Sequence, residues 1–378
     1  MGRKRLLDFG KGDVLGLDIG SFAVKIVRLR KDDAGYVVTG AGIANILPSE
    51  DSDNHRKIDT VKAIRQCLQL TGIKTELAVC GLSGPEVAVR DFEFPLLPPE
   101  EIEGAVLLEA SQVCPFNSGD SAVDYQLISD GDDKTRGVLV AATNALIKSR
   151  IQLVEEASLK CVLMDIDGLA LLNCFNGALN GNQKSQSGSF KSKTLEPSVP
   201  TPAETSNGVG QAVAILNVGS SYTTLAIMGD DGWPFIRDIT YAGDDIIKQI
   251  ATENGMSTEA VKGILSGDSA PAQTQFYDSF KKACQKLIVD VAETFRYYAA
   301  QEKSTLVDKI LVCGGFALAK GFVELLNSRL SAEAVLWNPF DKIRCDAGCN
   351  PRGIIQKNIL QKNGPAMAVA AGLAMRSI

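Results

Sequence analysis

Apolar residues in the first part of the chain follow two different spacings. Before Asn45 they form short, nearly continuous runs separated by glycine and charged residues, which is typical of buried strands. From Thr60 to Leu70 they recur at every third or fourth position, which predicts an amphipathic helix, and Gly72 suits its C-terminal cap. The predicted elements are strands at Val14–Ile19, Val24–Leu29 and Tyr36–Ile43, the helix, and a strand at Glu76–Cys80.

Residues 85–142 have the pattern of a separate small unit. Val87–Phe94 alternates as a half-buried strand, and Pro98-Pro99 followed by two glutamates predicts the start of a helix that ends before Pro115. Two further strands make this a βαββ subdomain. The apolar face of the helix is Ile102, Val106, Ala110 and Val113. The two further strands are Ala122–Ile128 and Gly137–Ala142.

The remaining pattern predicts two lobes joined by a polar segment. Residues 1–84 and 143–180 form the first lobe, and residues 211–378 form the second, in which 365–378 are a helix that closes on the core. Residues 181–210 are rich in Ser, Thr, Pro, Gly and Lys, so we interpret them as a flexible linker, with a regulatory insertion as the alternative. The main elements predicted are helices at Asn144–Ala157 and Asp278–Ala300, a helix starting at Thr258, and strands at Lys160–Asp165, Pro234–Ile239 and Lys309–Cys313.

Composition narrows the class of protein. The 378 residues suffice for two or three domains, and the net charge of −6 leaves no general basic surface for nucleic acid. Nine scattered cysteines favour a reducing compartment over a disulfide framework. The close pair Cys345 and Cys349 lacks a neighbouring histidine for a zinc site, and the single histidine, His55, excludes a histidine-dependent triad.

The sequence shows no secretion or membrane-spanning signal. Only Leu6-Leu7 follows the basic start, and the longest apolar run, Ala366–Met375, is shorter than the roughly 20 residues that a membrane span needs. We expect a soluble, cytoplasmic protein without direct membrane insertion, which a partner would have to hold at a membrane.

Three turns rich in glycine and serine carry the candidate chemistry. In the first, Asp18 ends an apolar strand, Gly20 and Ser21 form a tight turn, and Lys25 follows on the next strand. Backbone N–H groups of such a turn can approach phosphate, the aspartate can hold Mg²⁺ through water, and the lysine can reach the terminal phosphates. Taken alone, this turn has an ordinary β-hairpin as its alternative.

A similar hairpin recurs much later, at Asn217 to Thr223, and a third glycine turn, Gly314-Gly315, follows the strand Lys309–Cys313. The paired glycines would let the backbone lie flat against a ligand. None of the three turns has the G-x-G-x-x-G spacing, so a dinucleotide-binding fold is excluded.

The three turns, in this order, resemble the phosphate and adenosine motifs of the superfamily that contains actin, Hsp70 and sugar kinases. Outside 181–210, the whole chain resembles the PilM family of type IV pilus assembly proteins, actin-like ATPases related to the cell-division protein FtsA. This resemblance implies an α/β actin-like ATPase fold of two ribonuclease-H-like lobes, with the small βαββ subdomain inserted in the first. The segment that carries it best is Pro85–Phe116, and the others are Gly16–Leu29, Val138–Gly168, Arg237–Ile250 and Gly314–Gly321.

The resemblance implies ATP and Mg²⁺ as cofactors, with Asp18 holding the metal through water. Glu259 and Lys262 match a Glu-x-x-Lys pair that contacts ribose and adenine. Asn217 departs from the usual aspartate, and because a neutral amide cannot take a proton from water, we expect at most slow ATP hydrolysis. The residues expected at the nucleotide are Asp18, Gly20, Ser21, Phe22, Lys25, Asn217, Gly219, Ser220, Ser221, Thr223, Glu259, Lys262, Gly314, Gly315 and Phe316.

The resemblance also implies a cytoplasmic scaffold of pilus assembly, peripheral to the inner membrane through the tail of a PilN-like protein. Nucleotide-dependent lobe closure would couple it to the assembly motor, and other pilus proteins or a homo-oligomeric ring are further expected partners. The alternatives are a pseudo-ATPase adaptor, a small-molecule kinase, and an FtsA-like division or secretion adaptor, although the absence of an amphipathic tail after Met375 argues against FtsA itself.

We expect the partner peptide to bind residues 85–142, in a groove beside the acidic Glu100-Glu101 turn. Core packing is the alternative for the individual side chains. The residues expected to contact the peptide are Phe92, Phe94, Leu96, Leu97 and Ile102.

Overall fold

The protein is described by a computed structural model that covers residues 14–47, 53–128, 133–180, 212–229, 233–267, 274–301, 305–345 and 351–376. The predicted linker, 181–210, lies outside the described residues. The chain begins with the predicted strand–strand–strand–helix–strand order, and β1 pairs antiparallel with β2 and parallel with β4. These elements are β1 (Leu15–Ile19), β2 (Ala23–Asp32), β3 (Gly35–Asn45), α1 (Asp53–Thr71) and β4 (Leu77–Leu82).

The inserted unit has the predicted βαββ order. Its three strands form an antiparallel sheet in the order β5-β7-β6, and its helix covers one face. Five side chains from the strands and the helix form a small hydrophobic core that belongs to this unit alone. The elements are β5 (Val87–Pro95), α2 (Pro99–Val113), β6 (Ser121–Leu127) and β7 (Lys134–Thr143), and the core is Phe92, Ile102, Val106, Ala110 and Leu139.

The chain then returns through α3 (Asn144–Glu156) to β8 (Lys160–Ile166), which pairs parallel with β4. A helix that the sequence did not predict follows, α4 (Asp167–Asn180). The apolar residues of this helix are spread around its whole circumference, and two of its positions are glycine, so it has no single amphipathic face. That pattern is typical of a helix buried on both sides.

A second sheet is built from strands in the order β11-β10-β9-β12-β13. The first three strands pair antiparallel, and β12 and β13 extend the sheet in parallel. This sheet and the helices α5–α8 form the second lobe. The elements are β9 (Ala212–Val218), β10 (Thr223–Met228), β11 (Pro234–Ile239), α5 (Gly243–Asn254), α6 (Thr258–Leu265), α7 (Thr274–Ala299), β12 (Val307–Cys313), α8 (Phe322–Asn327) and β13 (Glu333–Leu336).

The end of the chain belongs to the first lobe, which corrects the predicted second lobe of 211–378. The strand β14 (Arg344–Cys345) pairs with β3, giving a first sheet in the order β14-β3-β2-β1-β4-β8. The helix α9 (Pro351–Asn363) follows, and the predicted helix at 365–378 is a 3₁₀ turn followed by α10 (Ala368–Ala374). A two-residue strand has too little pattern to be predicted from sequence.

Glycine contacts explain why the last helix packs on the first sheet. A Cβ added to Gly372 would lie 1.8 Å from the carbonyl oxygen of Ala170 in α4, and one added to Gly16 in β1 would lie 2.1 Å from that of Ala370. The guanidinium of Arg376 then donates to the buried carboxylate of Asp165 over 2.5 and 2.8 Å. The backbones of β1, α4 and α10 therefore meet without intervening side chains.

The two lobes contact each other through α4. A Cβ added to Gly168, at the start of α4, would lie 2.5 Å from Cγ2 of Ile236 in the second sheet. No helix among the described residues is both long enough and apolar enough to cross a membrane.

Candidate nucleotide-binding site

Two β-hairpin turns, one from each lobe, face each other. In the β1–β2 turn, the Gly20 amide donates to the carbonyl of Ala23 over 3.1 Å. In the β9–β10 turn, the Gly219 amide donates to the carbonyl of Tyr222 over 3.0 Å, so the two turns share one geometry. The hydroxyl of Ser221 donates to that of Ser21 over 2.8 Å, which joins the turns directly.

An ion pair lies behind the first turn. Asp18 and Lys25 are cross-strand partners on β1 and β2, and the Lys25 Nζ lies 3.1 Å from the Asp18 Oδ2. A Cβ added to Gly20 would lie 2.9 Å from this amine, so the glycine leaves the space that the amine occupies. Both side chains are largely buried, and the amine lies beside the turn where an anion would bind.

The third glycine turn approaches the second hairpin. Gly314 has a φ of +93°, and its amide donates to the carbonyl of Pro365 over 2.9 Å. A Cβ added to Gly314 would lie 2.4 Å from the Val218 carbonyl oxygen, so only glycine fits there. A Cβ added to Gly315 would meet nothing within 4 Å, so its backbone faces open space.

These turns surround a cleft of about 670 Å³ between the lobes. The start of α5 also borders it, because the amides of Gly243 and Asp244 donate to the carbonyls of Gly219 and Ser220 over 3.1 and 2.9 Å. A volume of this size is typical of a small-ligand site. The predicted nucleotide residues that line the cleft are Asp18, Gly20, Ser21, Phe22, Lys25, Asn217, Gly219, Ser220, Ser221, Lys262, Gly314, Gly315 and Phe316.

Two predicted nucleotide residues do not line the cleft. Thr223 is fully buried, and its hydroxyl donates to the carbonyl of Tyr241 over 2.9 Å. Side chains alternate along a strand, so its neighbour Thr224 lines the cleft instead. Glu259 lies in the first turn of α6, where its carboxylate accepts from the Thr258 hydroxyl over 3.0 Å, while the Lys262 Nζ lies 4.9 Å from the centre of the Phe22 ring.

The structure adds one carboxylate that the sequence analysis missed. Asp167 lines the cleft at the start of α4, and among the described residues its Oδ1 has no hydrogen-bond partner. Burial, together with the charge of Asp18, raises its pKa to about 7, although a hydrogen bond from Ser83 opposes this shift. The available signal was an acid followed by glycine directly after a strand, at Asp167-Gly168.

The cleft fits a nucleoside triphosphate with Mg²⁺. Lys25 provides a positive partner for phosphate, the two hairpin turns allow the backbone to approach it, and the open Gly315 backbone leaves room for a planar base. Among the described residues, no group of three or more His, Cys, Asp or Glu side chains is arranged to hold a metal. Because Mg²⁺ gives up its water ligands reluctantly, an ion bound with the phosphates would keep several of them, and Asp18 would hold it through water.

The predicted partner-binding residues divide between core and surface. Phe92 and Ile102 are only 4% and 6% exposed and belong to the core of the inserted unit, which corrects their prediction as surface contacts. Leu96 is 67% exposed, and Phe94 and Leu97 are half-buried against that core. Phe92 and Phe94 lie on the same face of β5, and Phe92 is the one enclosed beneath α2, whereas Leu96 follows the end of the strand.

Comparison with known proteins identifies the family. The sequence model of the family described as "Type IV pilus assembly protein PilM" matches residues 16–187 and 201–378. The chain belongs to the PilM family. The match covers both lobes and the inserted unit, and it confirms the resemblance inferred from the glycine turns and the segment Pro85–Phe116.

Solved structures confirm the actin-like fold. A "PilM-PilN type IV pilus biogenesis complex" matches with a TM-score of 0.74 at 20% identity, over 97% of this chain and 98% of that chain. The ethanolamine utilization protein EutJ from Carboxydothermus hydrogenoformans matches with a TM-score of 0.51 at 13% identity, over 96% and 89%. A glycerol dehydratase reactivase matches with a TM-score of 0.50 at 10% identity, over 96% and 99%. The PilM family thus has the predicted two-lobed α/β fold.

Proposed function

We propose that this PilM-family chain is an ATP-binding scaffold of type IV pilus assembly. The observation that carries the proposal is the meeting of the two hairpin turns through Ser21 and Ser221, above the Asp18–Lys25 ion pair and inside one cleft. Both lobes contribute to this site, so a bound phosphate would hold them together.

In this proposal Lys25 leaves Asp18 and turns to the terminal phosphates, while Asp18 contacts the water shell of Mg²⁺. The metal would neutralise phosphate charge when bound. Gly314 and Gly315 allow the base and ribose to lie against the backbone. Lys262 and Phe22, one from each lobe, flank the opening of the cleft.

ATP with Mg²⁺ should raise the free energy of unfolding by about 2.7 kcal/mol at a ligand concentration a hundredfold above Kd. Lys25→Met and Asp18→Asn should each remove most of this gain, because each breaks the phosphate or metal contact. Thermal melting with and without ATP·Mg²⁺ measures the effect. Lys281→Met, at an exposed lysine of α7, is the control that should keep the full gain. A full gain in both cleft variants would contradict the assignment of the first turn.

We propose that ATP turnover is slow. Asn217 provides no carboxylate at the second turn, and its Oδ1 lies 3.8 Å from the thiol of Cys313, which donates to it. Asp167 is the carboxylate of the cleft best placed to accept a proton from water. A nucleotide-binding adaptor without turnover is the second candidate, favoured by Asn217, and ATP binding without phosphate release would establish it.

The partner proposed for the inserted unit is the cytoplasmic tail of a PilN-like inner-membrane protein. The solved complex that this chain resembles contains PilM together with PilN. On this chain, Leu96 and the half-buried Phe94 and Leu97 present apolar surface beside Glu100 and Glu101, at the start of α2. Such a surface suits a short apolar peptide with a basic end and would place the protein at the inner membrane through its partner.

Leu96→Ser should weaken binding of the PilN-like N-terminal peptide by about tenfold without lowering the melting temperature, because this side chain is exposed. Phe92→Ala should instead destabilise the protein by about 3–5 kcal/mol, because it empties a core position. Fluorescence anisotropy with the labelled peptide and thermal melting separate the two effects. Unchanged peptide affinity in Leu96→Ser would move the partner site elsewhere.

A further inference from the structure

The inserted unit joins the first lobe through a short neck, residues 83–87 and Thr143. The amide of Thr143 donates to the Glu86 carbonyl over 3.1 Å, and its hydroxyl donates to the Glu86 carboxylate over 2.7 Å. The two ends of the unit are therefore fastened to each other. A displacement of the segment at Glu86 would therefore also displace the segment at Thr143.

Two residues of the second lobe, Asp238 and Tyr222, hold the neck at Gly84, and we name them the Gly84 clamp. The Gly84 amide donates to the Asp238 Oδ2 over 2.7 Å, and the Asp238 Oδ1 accepts from the Thr224 hydroxyl over 2.6 Å. On the other side, a Cβ added to Gly84 would lie 3.2 Å from the Tyr222 ring. Gly84 has a φ of +101°, a backbone conformation that favours glycine, and a side chain there would also press on the Tyr222 ring.

The clamp adjoins the wall of the nucleotide cleft. Tyr222 lies in the second hairpin turn, and Tyr222 and Thr224 both line the cleft. Asp238 is the cross-strand partner of Thr224, which is in turn the partner of Asn217, so one row of side chains runs from the cleft to the neck. Burial raises the pKa of Asp238, which fits a carboxylate enclosed between the lobes.

The first lobe connects the neck to the same cleft. Ser83, the residue before Gly84, lines the cleft and hydrogen-bonds Asp167. At the other end of the inserted unit, Arg150 of α3 donates to the carbonyl of Ile19 over 2.9 Å, at the end of β1 beside the first turn. One connection of the inserted unit is thus hydrogen-bonded to Asp167 in the cleft, and the helix that follows the other connection is hydrogen-bonded to the end of the strand before the first turn.

We propose that the Gly84 clamp couples nucleotide in the cleft to peptide on the inserted unit, so that ATP·Mg²⁺ tightens peptide binding. This inference rests on the proposed function. Phosphate bound between the two turns fixes the Tyr222 turn against the first lobe, which closes the clamp on Gly84 and fixes the orientation of the inserted unit. Without nucleotide the lobes separate more freely and the neck loses this support. Linkage requires the peptide to tighten ATP binding by the same factor.

The test is the peptide affinity measured with and without a non-hydrolysable ATP analogue and Mg²⁺. We expect the nucleotide to tighten binding of the labelled N-terminal peptide of the PilN-like protein at least about fivefold in the wild-type chain. Asp238→Ala and Tyr222→Ala should each bring this factor to within about twofold of one. Asp238 is not among the residues that line the cleft, so Asp238→Ala should keep its separate affinities for nucleotide and peptide, and Tyr222→Ala is compared at a nucleotide concentration that saturates that variant. Tyr277→Ala is a matched control, because Tyr277 is 41% exposed, Tyr222 is 39% exposed, and Tyr277 lies on α7 away from the neck.

Each other outcome overturns the inference. A wild-type factor near one, with both ligands bound in separate titrations, would show that the sites are independent. An undiminished factor in Asp238→Ala and Tyr222→Ala would assign the coupling to other residues, and its loss in Tyr277→Ala would show that the effect is not specific to the clamp. Failure of the wild-type chain to bind either ligand alone would instead contradict the proposed function, and the inference with it.

Discussion

Asp167→Asn should stabilise the folded protein at pH 8 and slow its ATP hydrolysis by at least about 100-fold. The pKa of this carboxyl is raised from 3.8 to about 7 in the folded state by burial and by the charge of Asp18. The folded protein therefore holds a proton that the unfolded chain releases. The contribution of Asp167 to the free energy of unfolding is largest below about pH 4. It decreases as the pH rises to about 7 and beyond, by up to about 4 kcal/mol in total. Asparagine stays neutral and removes this loss.

Urea unfolding of the nucleotide-free protein between pH 4 and pH 8 measures the first effect. The wild-type chain should lose stability over this interval relative to Asp167→Asn, and the two should agree near pH 4. Asp91→Asn, at an exposed aspartate of β5, is the control and should follow the wild type. Parallel pH profiles for the wild type and Asp167→Asn would contradict the raised pKa.

Phosphate release measures the second effect. If Asp167 accepts the proton of the attacking water, the wild-type rate should rise with pH up to about 7 and then level off, because only the ionised carboxylate is a base. Asp167→Asn should retain ATP binding, but its rate of ATP hydrolysis should be low and should not rise with pH in this range. A variant that hydrolyses ATP at the wild-type rate would exclude Asp167 as the base.

Gly372→Ala should destabilise the protein by at least about 3 kcal/mol, the largest loss that we expect from a single added methyl group. The new Cβ would lie 1.8 Å from the Ala170 carbonyl oxygen and 2.4 Å from its carbon, so α10 and α4 must separate. Backbone atoms cannot move aside as a flexible side chain can. The separation would also disturb the contact of α10 with β1 at Gly16.

The matched control is Gly104→Ala, in the middle of α2, where an added Cβ meets nothing within 4 Å. Alanine there should increase stability by about 0.5–1 kcal/mol, because it lowers the conformational entropy of the unfolded chain and favours helix. Chemical denaturation of both variants gives the comparison. Equal effects at the two positions would mean that α10 does not pack on α4 as described.

The glycine turns and the inserted unit could be predicted from sequence because their signals are local. Asp18, Gly20 and Lys25 lie on adjacent strands of one hairpin, so spacing alone brings them together. The helix α2 combines prolines, a first acidic turn and one apolar face, and its bounds agree with the prediction. The resemblance to the PilM family supplied what pattern could not, namely the order of the lobes and the pairing of distant turns.

Features that depend on contacts between distant segments could not be predicted in this way. The helix α4 is buried on both sides, so its apolar residues show no periodic face. Asp167 gains its properties only when the fold places it beside Asp18 and out of water. Thr223 and Thr224 are chemically alike, and a shift of one residue in strand register decides which of them faces the cleft.

Because β14, α9 and α10 belong to the first lobe, the order of protein synthesis limits when that lobe can fold. A ribosome makes β1 long before α10, yet Gly16 of β1 packs directly on Ala370 of α10. While the second lobe can begin to fold as soon as β13 has emerged, the core of the first lobe stays incomplete until α10 has also emerged. A chain truncated after the second lobe would therefore leave the sheet that carries Asp18 and Lys25 without its covering helix. We expect such a product to be recognised by chaperones or proteases rather than to act as a shortened nucleotide-binding protein.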